Sequence, residues 1–185
     1  MATNMSRNPL FLLLLALPLL LVPGFARSEL QLSSYTPSRA VEPFPVATRV
    51  VVYKSARRME LLRGSEVLRS YKISLGLQPS GHKERVGDFR TPEGSYRLTR
   101  RNTRSEYFLS ILVSYPGPDD IRRAKAKGDD PGGAIMIHGL PNRLRHTPEY
   151  YASRDWTDGC IAVTNSDMVE IWLMTQNDTP IEIRP

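Results

Sequence analysis

Cysteine is nearly absent: Cys160 is the only one in 185 residues, so no internal disulfide can form. Histidine is scarce too, with three residues, and neither close His pairs nor a second cysteine supply the three or four ligands of a zinc site. No Gly-x-Ser-x-Gly is present to support a serine hydrolase. No internal repeat is visible, which sets aside solenoids and propellers. Long apolar runs are also wanting. The stretch Leu10–Val22 is unbroken for thirteen residues. At ~1.5 Å each these reach ~20 Å, short of a ~30 Å hydrocarbon core.

That run has the neighbours of a secretory signal: Arg7 before it, and Gly24-Phe25-Ala26 after it as small residues ahead of a cut. Residues 1–26 are therefore expected to be a signal peptide, with no stable transmembrane segment after its removal; an uncleaved anchor is the alternative. Exported proteins use cysteines mostly in pairs, so a solitary one suggests a free thiol with a task. A buried cysteine acting as a small apolar filler is the competing reading.

The net charge is +6, and removal of residues 1–26 takes away only Arg7. The excess gathers at Arg97, Arg100, Arg101 and Arg104, and again at Arg122, Arg123, Lys125 and Lys127. Such a surface is drawn to anionic polymers or membrane faces. Aromatic residues are not interleaved with these clusters, so no nucleic-acid partner is expected.

Residues 27–47 contain Pro and Ser without apolar period and read as an irregular lead or linker, leaving 48–185 as one domain. Arg49-Val50-Val51-Val52-Tyr53 is β-branched and aromatic, a strand. Arg58–Leu62 and Glu66–Leu75 follow across short turns, making an antiparallel meander. Leu77–Glu93 is polar and rich in turn residues, a long surface loop. Strands are expected at Gly94–Thr99 and Phe108–Tyr115, then a helix from Pro118 to a stop at Gly128. Thr147 and Pro148 suit a helical turn. Thr164 or Asn165 suits the cap of a final helix carrying Met168, Ile171 and Trp172, before a closing strand Ile181–Ile183. The fold class is β-rich, mainly β with a few short helices.

Two glycine-flanked reactive residues stand at strand ends. His138-Gly139 closes the apolar run Ala134–Ile137, and Thr157-Asp158-Gly159-Cys160 opens Ile161-Ala162-Val163. Two short strands joined by a loop can bring their ends together, pairing a thiol nucleophile with an imidazole base. The attacked carbonyl becomes an oxyanion, for which the backbone N–H groups of Gly159 and Cys160 are the natural donors. Gly139, Thr157, Asp158 and His146 are candidate substrate contacts, with Asp158 suited to orienting an amine; solvent-facing roles are the alternatives for Asp158 and His146. No metal ligand set is assigned.

These residues resemble the catalytic domain of the L,D-transpeptidases, the YkuD-like family, whose signature is His-Gly, a variable loop, then Ser/Thr-x-Gly-Cys. The similarity extends to Gly76, Lys83, the segment Gly87–Tyr96, Tyr115-Pro116 and Gly132-Gly133, spanning about 48–185. It implies a mixed β-sheet sandwich needing no cofactor. It further implies Cys160 as nucleophile and His138 as proton acceptor and donor on a peptidoglycan tetrapeptide stem. D-alanine would leave, and the thioester would pass to a stem amine in a 3→3 crosslink or to an outer-membrane lipoprotein, in the periplasm. Many members carry His where Asp158 stands and Arg or Asn where Ala162 stands. A branch similar to this form hydrolyses the lipoprotein linkage instead, so a hydrolase or carboxypeptidase is the alternative, and a non-catalytic wall-binding module a third.

Overall fold

The computed structural model describes residues 44–185. The expected signal peptide and most of the expected lead lie outside them. Among the described residues no helix is long and apolar enough to cross a membrane.

Eight strands and three short helices alternate along the chain: β1 Arg49–Tyr53, β2 Arg58–Arg63, β3 Glu66–Lys72, β4 Gly94–Asn102, β5 Ser110–Val113, α1 Pro118–Ala126, β6 Met136–His138, α2 Pro148–Ala152, β7 Ile161–Ala162, α3 Asn165–Met174 and β8 Pro180–Arg184. The strands form one mixed sheet in the order β3-β2-β1-β8-β4-β5-β6-β7. β1, β2 and β3 make the expected antiparallel meander. Val50, Val51 and Val52 are all buried. A run covered on both faces has no reason to alternate, which is why β1 reads as continuous rather than period-two.

β8 lies parallel to β1 and antiparallel to β4. β4 then changes partners. Its first half, Gly94–Arg97, pairs with β8, and its second half, from Leu98, pairs with β5, with a register shift between Leu98 and Arg101. Such an irregularity sharpens the bend of a strand. The sheet curls until the chain leaving β3 meets its far edge: Ser74 and Ala162 exchange both backbone hydrogen bonds, at 2.9 and 2.8 Å. The edge strand β7, only two residues long, is thereby covered rather than exposed.

α3 fills the curl. Met168, Ile171 and Met174 are fully buried against Leu98, Ile137 and Ile161. The helix is started by Thr164, whose Oγ1 accepts from the Asp167 N–H at 3.1 Å. Such a cap is worth about 1 kcal/mol. At α1 the carboxylate of Asp120, in the first turn, accepts from the N–H of the capping Gly117 at 2.8 Å and so braces the helix entry.

The 77–93 segment is a loop, as its composition predicts, but not a loose one. Lys54, 2 % exposed, donates to the carbonyls of Gly81 and Thr91 and to Glu93 at 2.6–2.8 Å. Lys83, 3 % exposed, donates to Asp88 at 2.7 Å. Asp88 also accepts from the backbone N–H groups of Glu84, Arg85 and Arg90. Two buried lysines satisfied by carbonyls and carboxylates give this segment a polar core of its own.

Candidate active site

β6 and β7 run parallel with Ile137 opposite Ile161 and His138 opposite Ala162. Cys160 therefore stands opposite Met136, and side-chain alternation puts it on the same face as His138. Both line one cavity of about 300 Å³, together with Tyr107, Ala134, Trp156 and Asp158. The Val163 N–H donates to the His138 carbonyl at 3.0 Å, continuing the ladder beyond the two reactive residues. The two strand ends meet as the sequence pattern predicts.

His138 is almost fully enclosed. Tyr107 packs on its ring with centroids 4.6 Å apart, and Trp156 meets it edge-on at 5.6 Å. Nδ1 lies 2.7 Å from the Gly139 carbonyl. A carbonyl only accepts, so Nδ1 carries the proton and Nε2 keeps its lone pair. Burial brings the imidazole pKa down from 6.5 to about 4, partly opposed by the Gly139 carbonyl. The ring is a neutral base at ordinary pH.

The Cys160 thiol is half-buried and lies 3.6 Å from the Ala134 carbonyl, to which it donates weakly. Burial pushes its pKa up; the Met136 backbone and the Lys83 charge pull it back, and the Asp158 carboxylate adds to the rise. A neutral thiol and a neutral imidazole sharing one cavity suit proton transfer during attack better than a resting thiolate–imidazolium pair.

The turn before Cys160 is stapled by Thr157. Its hydroxyl donates to the Cys160 carbonyl at 2.8 Å and accepts from the Gly159 N–H at 3.1 Å. This alters the expectation for the oxyanion donors: the Gly159 N–H is already engaged, whereas the Cys160 N–H has no partner among the described residues. With both sides of its hydroxyl taken, Thr157 braces the turn instead of offering itself to a substrate. Gly159 has φ +125°, and a Cβ there would sit 2.6 Å from the Arg90 carbonyl oxygen. The turn before Cys160 is thus pressed against the fastened 77–93 loop, a contact only glycine permits.

The remaining candidates separate. Gly139 is walled by Asn165 and Phe108, and a Cβ would lie 2.6 Å from Asn165 Oδ1. Its contribution is the carbonyl that orients His138, in place of a substrate contact. His146 stacks on Tyr150 at 3.9 Å and does not line the thiol cavity. Asp158 is exposed on the cavity rim. Tyr107, Trp156 and the Ala134 carbonyl shape the site without having been legible; Tyr107 and Trp156 carry no motif, and only tertiary packing brings them to His138. Among the described residues no group of three or more His, Cys, Asp or Glu side chains could hold a metal ion.

Residues 47–183 match the model of the L,D-transpeptidase catalytic domain, YkuD. The chain belongs to this family. A candidate L,D-transpeptidase of Escherichia coli (strain K12), YafK, is 30% identical over 129 residues, which are 66% of this chain and 45% of that protein. The chain thus spans about half the length of the curated relatives it matches. Among solved structures, the helical cell shape determining protein Pgp2 from Campylobacter jejuni is 26% identical with a TM-score of 0.56, covering 72% of this chain and 46% of that one. Bd1075 of Bdellovibrio bacteriovorus is similar in fold, at 23% identity and a TM-score of 0.50 over 76% of this chain and 51% of its own. The mostly β, curled mixed sheet is the fold of that family.

Proposed function

We propose that this protein is an exported cysteine acyltransferase of peptidoglycan, with residues 1–26 as its signal, 27–47 as a lead, 48–185 as its catalytic domain, and the periplasm as its place of work. The observation that carries the reading is the placement of a half-buried thiol and an Nε2-free neutral imidazole on one face of the β6–β7 pair. Family membership supports the same chemistry.

In this reading Cys160 attacks the carbonyl of the third stem residue, meso-diaminopimelate, while His138 Nε2 takes the thiol proton. The Nδ1–H bond to Gly139 steadies the imidazolium that forms. The Cys160 N–H receives the oxyanion. The carbon–nitrogen bond to D-alanine breaks as His138 returns the proton to the departing amine, leaving a thioester. An amine from a second stem or from an outer-membrane lipoprotein then attacks, the carbon–sulfur bond breaks, and the proton passes back through His138 to sulfur. Water in the amine's place gives hydrolysis, and the half-exposed thiol leaves that course open.

The test is intact-protein mass spectrometry with defined tetrapeptide stems on wild type and Cys160→Ala. A thioester on Cys160 with free D-alanine and new 3→3 dimers is the expected result. An adduct yielding only shortened stems replaces transfer with hydrolysis. No adduct with free or lipoprotein-linked stems removes the acyl-enzyme reading and leaves a binding module.

A further inference from the structure

A second cavity, of about 790 Å³, adjoins the thiol cavity. Tyr107 and Trp156 line both, so the two spaces are neighbours across that aromatic pair. The larger one is also lined by Glu106, Asn142, Arg143 and Arg145. All of this lies on the variable 140–156 insert and the β4–β5 hairpin.

The walls are fastened while the guanidinium groups are not. Asn142 donates its N–H to the Glu106 carbonyl at 2.9 Å and its side-chain amide to the Ser105 carbonyl at 2.8 Å, and accepts from the Phe108 N–H at 2.8 Å. The Arg145 N–H donates to the Tyr151 hydroxyl at 3.2 Å. Both arginines therefore rise from anchored backbone. Arg57, Arg69 and Arg184 each meet a carboxylate. Neither Arg143 nor Arg145 has a side-chain partner among the described residues, although both line the same groove. Two arginine forks without partners in one groove supply the kind of donor that recognises carboxylates. Glu106 in the same wall disfavours a polyanion and suits a peptide whose charges are spaced.

We propose that this groove is a carboxylate-reading subsite, in which Arg143 and Arg145 hold a non-reacting carboxylate of an acidic stem peptide whose scissile bond lies across Tyr107 and Trp156 at Cys160. The assignment rests on the stem-peptide reading above. A thiol cavity of about 300 Å³ is at the small end for ligand sites. A four-residue peptide must extend out of it, and the arginine-lined groove is its neighbour.

The experiment uses the full chain carrying Cys160→Ala, so that binding is read without chemistry. Calorimetric titration compares a tetrapeptide stem with the same peptide bearing an amide in place of the free α-carboxylate of its second residue, D-glutamate. Adding Arg143→Gln and Arg145→Gln is expected to weaken the acidic peptide by ~10-fold or more, the loss of charge-assisted hydrogen bonding. The amidated peptide should bind both proteins equally. Equal weakening of both peptides, no weakening of either, or no binding to Cys160→Ala overturns the subsite. Single-turnover reactions with Cys160 intact complete the test: slowed thioester formation is the expected result, whereas slowed transfer alone would place the carboxylate on an acceptor and overturn the assignment. Arginine-dependent binding in Cys160→Ala without any thioester in wild type would retain the subsite and discard acyl transfer; the reverse pattern would do the opposite.

Discussion

Two loops flank Cys160, and they are built on different principles. The 77–93 loop is held by buried charge: Lys54 on two carbonyls and Glu93, Lys83 on Asp88, and Asp88 on three backbone N–H groups. The 140–156 insert is tied at its ends. Asn142 holds its entry and Asp155 its exit, the latter pairing with Arg57 and accepting from the Leu75 N–H at 2.9 Å. Between these ends its ties are fewer: Ser74 Oγ donates to the Tyr151 carbonyl at 2.8 Å, the Arg145 N–H donates to the Tyr151 hydroxyl, and His146 and Arg154 stack on Tyr150 at 3.9 Å each. One loop presses on Gly159 and sets the position of the thiol. The other turns arginines outward. The loop held by buried charge lies against the turn that carries the thiol, and the loop with unpaired arginines lines the larger cavity.

The sharpest way to break this contrast is Gly159→Ala. At φ +125° with the Arg90 carbonyl in the way, the turn must shift, and turnover should fall by orders of magnitude. Kinetics on the purified variant, with circular dichroism to confirm the fold, checks this. If turnover stays near normal, the 77–93 loop does not set the thiol's position.

Asp88→Ala should come next. It leaves Lys83 buried without its counter-charge and frees three backbone donors, costing about 3 kcal/mol or more in chemical denaturation. Arg143→Gln in the same assay should change stability by no more than ~0.5 kcal/mol. Equal effects would erase the distinction between the loops.

A pH series sharpens it further. With the His138 imidazole pKa at about 4, its base form persists well below 6.5, so the acid limb of kcat/KM should lie near pH 4. Stability carries the same signature. Between about 4 and 6.5 the unfolded chain binds the His138 proton and the folded one does not, so stability falls as pH drops through that window. The loss is on the order of 2–3 kcal/mol at ~1.4 per pKa unit. His138→Asn should flatten it; an unchanged slope would assign the effect elsewhere.

The smallest expected effect is His146→Ala. Its stack on Tyr150 lies apart from the thiol cavity, so kcat should stay within a few-fold of wild type. A collapse of activity would show that the insert bears on the chemistry directly.

Much of this architecture was readable from residue order. The β1–β2–β3 meander, the Thr164-capped helix and the two strand ends carrying His138 and Cys160 depend on contacts close along the chain, where periodicity and capping act. The engaged Gly159 N–H was not readable, because it depends on how a threonine two residues earlier turns its hydroxyl. Nor was the burial of Lys54 and Lys83, whose charges look like surface until partners from distant positions surround them.

By itself the sequence determined the β-rich class, the family and the two strand ends that carry His138 and Cys160. Tertiary structure decided the rest: β8 entering between β1 and β4, β4 bending from one set of partners to another, and Tyr107 and Trp156 closing on His138. The physical reason is range. Propensity and motif act over a few residues, whereas the burial that makes His138 a neutral base requires aromatic rings contributed from about twenty to thirty residues away on either side.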